Sequence, residues 1–405
     1  MIQGTQDQVA QQSPTATVLQ RTLRKPALPA LTGIRTVLAL GIVFFHFTPP
    51  HLGILYPIID NSYAFVGFFF LISGFILTYN YSDRATTLNK RDFWVARFSR
   101  LYPVYLLVLV LSIQMLHDEW TARSHADFWR GIILTPFFLQ GWSPALATFG
   151  NTVAWTLSCE VMFYFAFPFL LYAWATRVPW LNTPTRLIAL FFALWAFGLL
   201  PHILYSTFNP DHLVTPADRY TSTKLLRFLK YTPLPYVCTF LTGVTLGKLH
   251  PLLPFTPRQR LMVATTAFTL LGIFFYTGLV KRVPYLVMHG GFLIPLFSLL
   301  ILGLAGPNLF ASIFSIRPLV LIGEATFALY LLHFNTFILI HTHHLPERLH
   351  LTAYEPWSSY IAIIALAFAT LHFVENPGRK AILHRFSSKP EPTPQSIPNP
   401  NLTPA

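Results

Sequence analysis

Charged residues are scarce in this 405-residue chain. They make up 11% of it, while 53% is hydrophobic. A soluble domain carries about 25% charged residues, so a water-soluble fold is excluded. Cysteine is nearly absent: Cys159 and Cys238 both fall in apolar stretches, which excludes a disulfide framework and a cysteine zinc site. Acid is also short, with 15 Asp and Glu against 28 Lys and Arg, a formal charge of +13. In a soluble chain that imbalance would suggest nucleic acid. In one this apolar it reads as basic loops at the cytoplasmic face plus an anionic ligand, not nucleic acid. No internal repeat is visible.

What the chain has is long apolar runs, and they predict an all-α polytopic membrane protein. About ten spans are expected, near 30–48, 63–80, 101–117, 153–175, 186–205, 233–249, 260–278, 284–304, 317–341 and 357–374. The sixth is interrupted by Pro233 and Pro235, and 131–140 has the look of a re-entrant stretch. The expected division is a cytoplasmic N-terminal tail over 1–28, a membrane domain over 29–380, and a C-terminal tail over 381–405, Pro-rich and disordered. No cleavable signal peptide is expected before the first span. With both termini inside, inner segments hold 18 of the Lys and Arg and outer loops 9, with Arg35 in the first span. That bias predicts N-in, C-in. The outer loop bearing Arg219, Lys224, Arg227 and Lys230 runs against it and suits an anionic acceptor or lipid.

The first span, LTGIRTVLALGIVFFHF, carries two costly residues. An Arg near a span's centre costs roughly 2.5–3.5 kcal/mol on insertion scales and needs a partner or a wet cavity. Arg35 and His46 are eleven residues apart, close to three full turns, so they share one stripe about 16 Å long. A permanent cation at one end and a proton-transfer group at the other suit a polar cleft. Snorkelling at the helix ends is the plainer alternative.

Other polar residues are placed by depth. Arg97 and Arg100, three apart at the inner mouth of span three, suit phosphate groups; lipid anchoring is the alternative. Glu160 in span four is expected near His46, orienting it for general-base work; a structural Glu160–Arg pair is the rival. Tyr330 and His333 share a face of span nine. Ser73, beside Gly74, allows close packing in span two. Glu375 could pair with Arg97 or Arg100. HTHHLPERLH, 341–350, is expected to be an interfacial loop rather than a metal site.

These stretches together resemble the acyltransferase 3 family of bacterial membrane proteins. The carriers are Arg35 and His46 in an Arg-then-ten-then-His signature; GFFFLISGFIL, with Ile72 where Leu is usual; RFSRLYP through Arg97, Arg100, Tyr102 and Pro103; and WTLSCE through Trp155, Thr156, Leu157 and Glu160. FALYLLH and the late VENP also fit. The resemblance implies transfer of an acyl group, usually acetyl, from cytoplasmic acyl-CoA to a hydroxyl of a cell-surface glycan or lipid-linked sugar. It implies a multi-pass protein of the inner (plasma) membrane, without metal. Some members carry a fused extracytoplasmic hydrolase-like domain. This chain reads as the stand-alone form, which leaves open whether a separate periplasmic partner completes the transfer. The implied roles are His46 and Glu160 as catalytic groups and Arg35, Arg97 and Arg100 as acyl-CoA ligands. Ser73, Trp155, Tyr330, His333 and Glu375 would shape the substrate side. Acylation of a small molecule such as a macrolide or glycolipid precursor is the alternative acceptor reading. A transporter or flippase is the rival from another class.

Overall fold

A computed structural model describes residues 25–388. All regular structure among them is helical, since only a helix satisfies its own backbone in lipid without closing a barrel. Ten helices build the bundle: α1 Pro29–His46, α2 Phe65–Tyr81, α3 Lys90–Leu111, α4 Trp155–Arg177, α5 Pro184–Phe208, α6 Val237–Leu249, α7 Pro257–Tyr276, α8 Ile294–Leu304, α9 Arg317–Thr342 and α10 Trp357–Thr370. Among the described residues nine helical segments are long and apolar enough to cross a membrane. The exception is α6, which has 13 residues and is lengthened by 3-10 turns at Leu234–Tyr236 and His250–Leu252.

Topology shows that α6 completes the count. Lys25 Nζ lies 2.8 Å from Asp83. The amide of Ser388 donates to Asp92 Oδ1 at 2.8 Å. Residues 83 and 92 flank the α2–α3 connection, so both described chain ends meet at one end of the bundle. An even number of crossings is then required, and α6 supplies the tenth. It can be short because it is buried against α2. A Cβ at Gly243 would stand 2.1 Å from the Leu71 carbonyl, and one at Gly74 would stand 2.3 Å from the Phe240 carbonyl. Gly247 meets Phe75 and Thr78 one turn further on. Small residues bring the backbones together, as membrane helices without a hydrophobic drive between them require.

Two apolar cores share α1 and α2. One contains Phe70, Tyr105, Phe167 and Leu332, the other Phe68, Phe75, Phe297 and Ile301. The stretch expected to be re-entrant forms a helix, His125–Leu134, and then 3-10 turns at Thr135–Phe137 and Gln140–Trp142. These turns dip into the bundle. Tyr105 Oη donates to the Thr135 carbonyl at 2.7 Å, and Ser158 Oγ to that of Phe138 at 2.6 Å.

Beyond α10 a π-turn, Leu371–Glu375, leads into a helix over Asn376–Phe386. Gly378 of that helix sits against Pro103 of α3. Residues 381–386, expected to open the tail, therefore belong to this helix. Residues 389–405 of the Pro-rich segment and 1–24 of the N-terminal tail lie outside the described residues.

Candidate active site

The site follows from where α1, α2, α3, α4 and α9 leave space between them. A cavity of about 420 Å³ runs inward from the end of the bundle that holds the described chain ends. Lys25, Tyr79 and Asn80 stand at its mouth; Thr156, Val66 and Tyr330 line its deep end. Arg35, Arg97, Arg100, Glu160 and Ser73 all line it. Five of the residues singled out in the sequence thus meet around one space, with Tyr330 as a sixth.

Three guanidiniums face one carboxylate there, and the cations are under-used. Arg97 donates to Tyr81 Oη at 3.1 Å and lies 5.6 Å from the Phe93 ring centroid, which fixes its plane. Its Nε is buried without a partner, as is the Nε of Arg35. Glu160 has Tyr164 Oη at 3.5 Å, one turn on in α4. No ion pair within 4 Å joins Glu160 to an arginine among the described residues. A ring of donors around an open space, with unpartnered N–H groups, is the arrangement an anionic group completes.

His46 stands elsewhere. It is not a lining residue of this cavity. Its ring lies 5.3 Å from that of His333 and 5.3 Å from that of Phe334. The expected proximity of Glu160 to His46 is therefore corrected: Glu160 sits with the arginines. The cause is the start of α4. Trp155 opens that helix buried, at 4% exposure, beneath the inserted 135–142 turns. Glu160 is carried deeper than a helix beginning at the surface would carry it.

His333 takes the place beside His46. Its Nδ1 is 2.6 Å from the Tyr330 carbonyl. A carbonyl can only accept, so Nδ1 carries a proton and Nε2 is the nitrogen left for another partner. That Nε2 is buried without a partner. Tyr330 lines the cavity and lies 5.9 Å, ring to ring, from His333. Tyr330, His333 and His46 thus form a path from the cavity's deep end to the far end of α1.

Two sequence candidates stay outside. Trp155 packs in an aromatic cluster, 5.3 Å from Tyr236 and 6.2 Å from His289. Glu375 is buried at the end of the π-turn, with Oε2 unpartnered, and does not line the cavity. Its expected ion pair with Arg97 or Arg100 is not formed among the described residues.

Other residues take places that the sequence did not assign; Arg219 and Lys230 were marked only as part of a basic outer loop. Tyr164 follows Glu160 at helical spacing, a signal the sequence offered. Arg219, from the loop after α5, lies 4.4 Å from the Phe45 ring centroid, next to His46, and pairs with Asp60. Lys230, in the short helix Lys224–Tyr231, is 1% exposed. Its ammonium is 3.4 Å from each of the Arg219 and Thr221 carbonyls. Burial, aided by Arg227, pushes its pKa down to about 8. No sequence pattern marks these contacts, which join segments brought together only by the fold.

A cavity lined by unpartnered arginine donors, a histidine pair and a membrane bundle of helices define an integral membrane protein with a polar site inside its spans. A family model described as "Acyltransferase domain" matches residues 28–371. The chain belongs to that acyltransferase family, and it is a multi-pass membrane O-acyltransferase. It is 26% identical to the acyltransferase MdmB of Streptomyces mycarofaciens, covering 93% of this chain and 98% of that protein. It is 24% identical to the peptidoglycan O-acetyltransferase OatA of Listeria monocytogenes, covering 89% of this chain but 58% of that one. The O-acetyltransferase OatA of Staphylococcus aureus is likewise 24% identical, with 90% of this chain and 59% of that protein covered. The chain thus spans under two thirds of the longer relatives. No solved structure matches it.

Proposed function

We propose that this enzyme takes an acetyl group from acetyl-CoA on the cytoplasmic side of the plasma membrane and delivers it to a hydroxyl of a cell-surface glycan or lipid-linked sugar. The observation that carries the donor reading is the convergence of Arg35, Arg97 and Arg100 on one cavity, with buried guanidinium N–H groups unpartnered. Coenzyme A has phosphate groups at one end and a thin neutral arm at the other. The arginines would hold the phosphates. The arm would pass Ser73 and Arg35 toward Tyr330, which brings the thioester near the His333–His46 pair. Glu160 would limit the positive charge of the pocket rather than orient His46.

In the transfer, the acceptor oxygen bonds to the acyl carbon as the carbon–sulfur bond breaks. The hydroxyl proton passes to His46, which returns it to the departing thiolate. His333 would hold His46 through its free Nε2. The alternative order, in which His46 first accepts the acyl group on its ring nitrogen and then yields it to the hydroxyl, uses the same residues. Label exchange between CoA and acetyl-CoA without acceptor separates the two. The glycan reading draws support from the relatives' names.

The test is thiol release from acetyl-CoA by purified protein with crude envelope glycans. Release that His46→Ala abolishes supports the reading. No release from folded protein with any acyl-CoA overturns it.

A further inference from the structure

A second cavity, of about 210 Å³, lies further along α9, lined by Asp118, Glu119, Arg123, Thr148, Phe334 and Asn335 among others. Its charged pair is already engaged. Glu119 Oε1 accepts from the Gly150 amide at 2.8 Å, and Oε2 pairs with Arg123. Arg123 also donates to the Ala145 carbonyl. No free cation faces the space from these residues, so it is unsuited to phosphate.

Acceptors are what it offers. Asp118 is exposed and unpaired among the described residues. Asn335 is 2% exposed. Its Nδ2 donates to Ser112 Oγ and to the Gly150 carbonyl, both at 2.9 Å. That carbonyl can only accept, so the amide cannot be reversed, and Oδ1 is left without a donor among the described residues. Phe334 adds an apolar ring. Hydrogen-bond acceptors beside an aromatic face suit a sugar ring, which presents hydroxyl donors at its edge and C–H groups on its face. The same Phe334 ring stands 5.3 Å from His46, at 88° to it.

We propose that this cavity is the acceptor subsite and takes one sugar ring of the glycan, with Asp118 and Asn335 holding its hydroxyls and Phe334, whose ring also meets that of His46, against its face. The idea that the sugar is then acylated rests on the acyl-transfer reading above; its binding does not.

Ala122 also lines the cavity and is exposed, which gives a test that needs no donor. Protein carrying Ala122→Cys, in nanodiscs, is labelled with a maleimide, with unsubstituted protein as the background for Cys159 and Cys238. N-acetylglucosamine is the probe and inorganic phosphate the control. The expected result is that the sugar slows labelling several-fold, that phosphate does not, and that Asp118→Asn weakens the protection about tenfold in sugar concentration, as loss of one charge-assisted hydrogen bond does. Labelling unchanged by the sugar, or slowed equally by phosphate, overturns the proposal. A failed thiol-release assay with protection intact would instead count against the donor reading alone.

Discussion

The arginines of the inner cavity reach it from two helices: Arg35 from α1, Arg97 and Arg100 from α3. Removing one should cost binding rather than chemistry. Arg100→Ala is expected to raise the KM for acetyl-CoA about 10–100-fold with kcat little changed, since a hydrogen bond to a charged group contributes about 1.5–3 kcal/mol. Saturation kinetics with acetyl-CoA and with dephospho-CoA thioesters check this; an unchanged KM in all three alanine variants would remove the phosphate role. His333→Ala is expected to lower kcat by about 10²–10⁴, as loss of proton-transfer machinery does, with the KM for acetyl-CoA nearly constant. A fall in affinity instead would make His333 a packing residue. Lys230 gives a pH signature outside the spans. Its folded-state pKa is lowered to about 8, so between pH 8 and the ordinary lysine value the unfolded chain binds more protons, and stability should rise with pH across that window. Below it the burial cost is fully present. Thermal unfolding of wild type against Lys230→Met should show that rise in the wild type alone. Much of this site was legible as residue types and spacing, because a charge inside a span announces itself. The partner of His46 was not. Depth along a helix is readable from sequence, but it assumes where the helix begins, and α4 begins below the surface.

Helices that touch through backbone are intolerant at the contact. Gly74→Val would drive a side chain against the Phe240 carbonyl, 2.3 Å from where its Cβ must go. The expected cost is at least about 1–3 kcal/mol, the usual penalty for overpacking. It should appear as a lower melting temperature in detergent, with Ser73→Ala at the neighbouring cavity-lining position far milder. Equal stability of the two variants would mean that α2 and α6 are not held this way. The elements themselves were largely readable, since uninterrupted apolar runs become helices in lipid. Their ends were not. Pro233 and Pro235 shorten α6 to 13 residues, and only its parallel packing on α2 qualifies it as a crossing. Residues 135–142 are too short and broken to span, yet they enter the bundle because Tyr105 and Ser158 satisfy their carbonyls. Such insertion depends on partners on other helices, which no local pattern contains.

At the scale of the molecule, the proposed donor and acceptor sites would divide the labour along α9. The inner one is lined from Thr326 to Tyr330, the outer one from Phe334 to Asn335, and the His46–His333 pair lies between. Alternating access in a transporter moves a substrate past such a midpoint; here only the acyl group needs to pass, so the bundle can stay closed to both the donor and the acceptor. That arrangement makes a sidedness prediction. If the inner mouth faces the cytoplasm, as the charge bias predicts, acetyl-CoA, which is too polar to cross lipid, should support transfer only from that face. In sealed right-side-out vesicles, external acetyl-CoA should yield no acylated glycan, whereas inverted vesicles should consume it and acylate only glycan trapped inside. Thiol release from right-side-out vesicles with intact seals would mean that the orientation is reversed. Release on both faces would mean that the path between the cavities, past Tyr330, His333 and His46, is open to the whole donor.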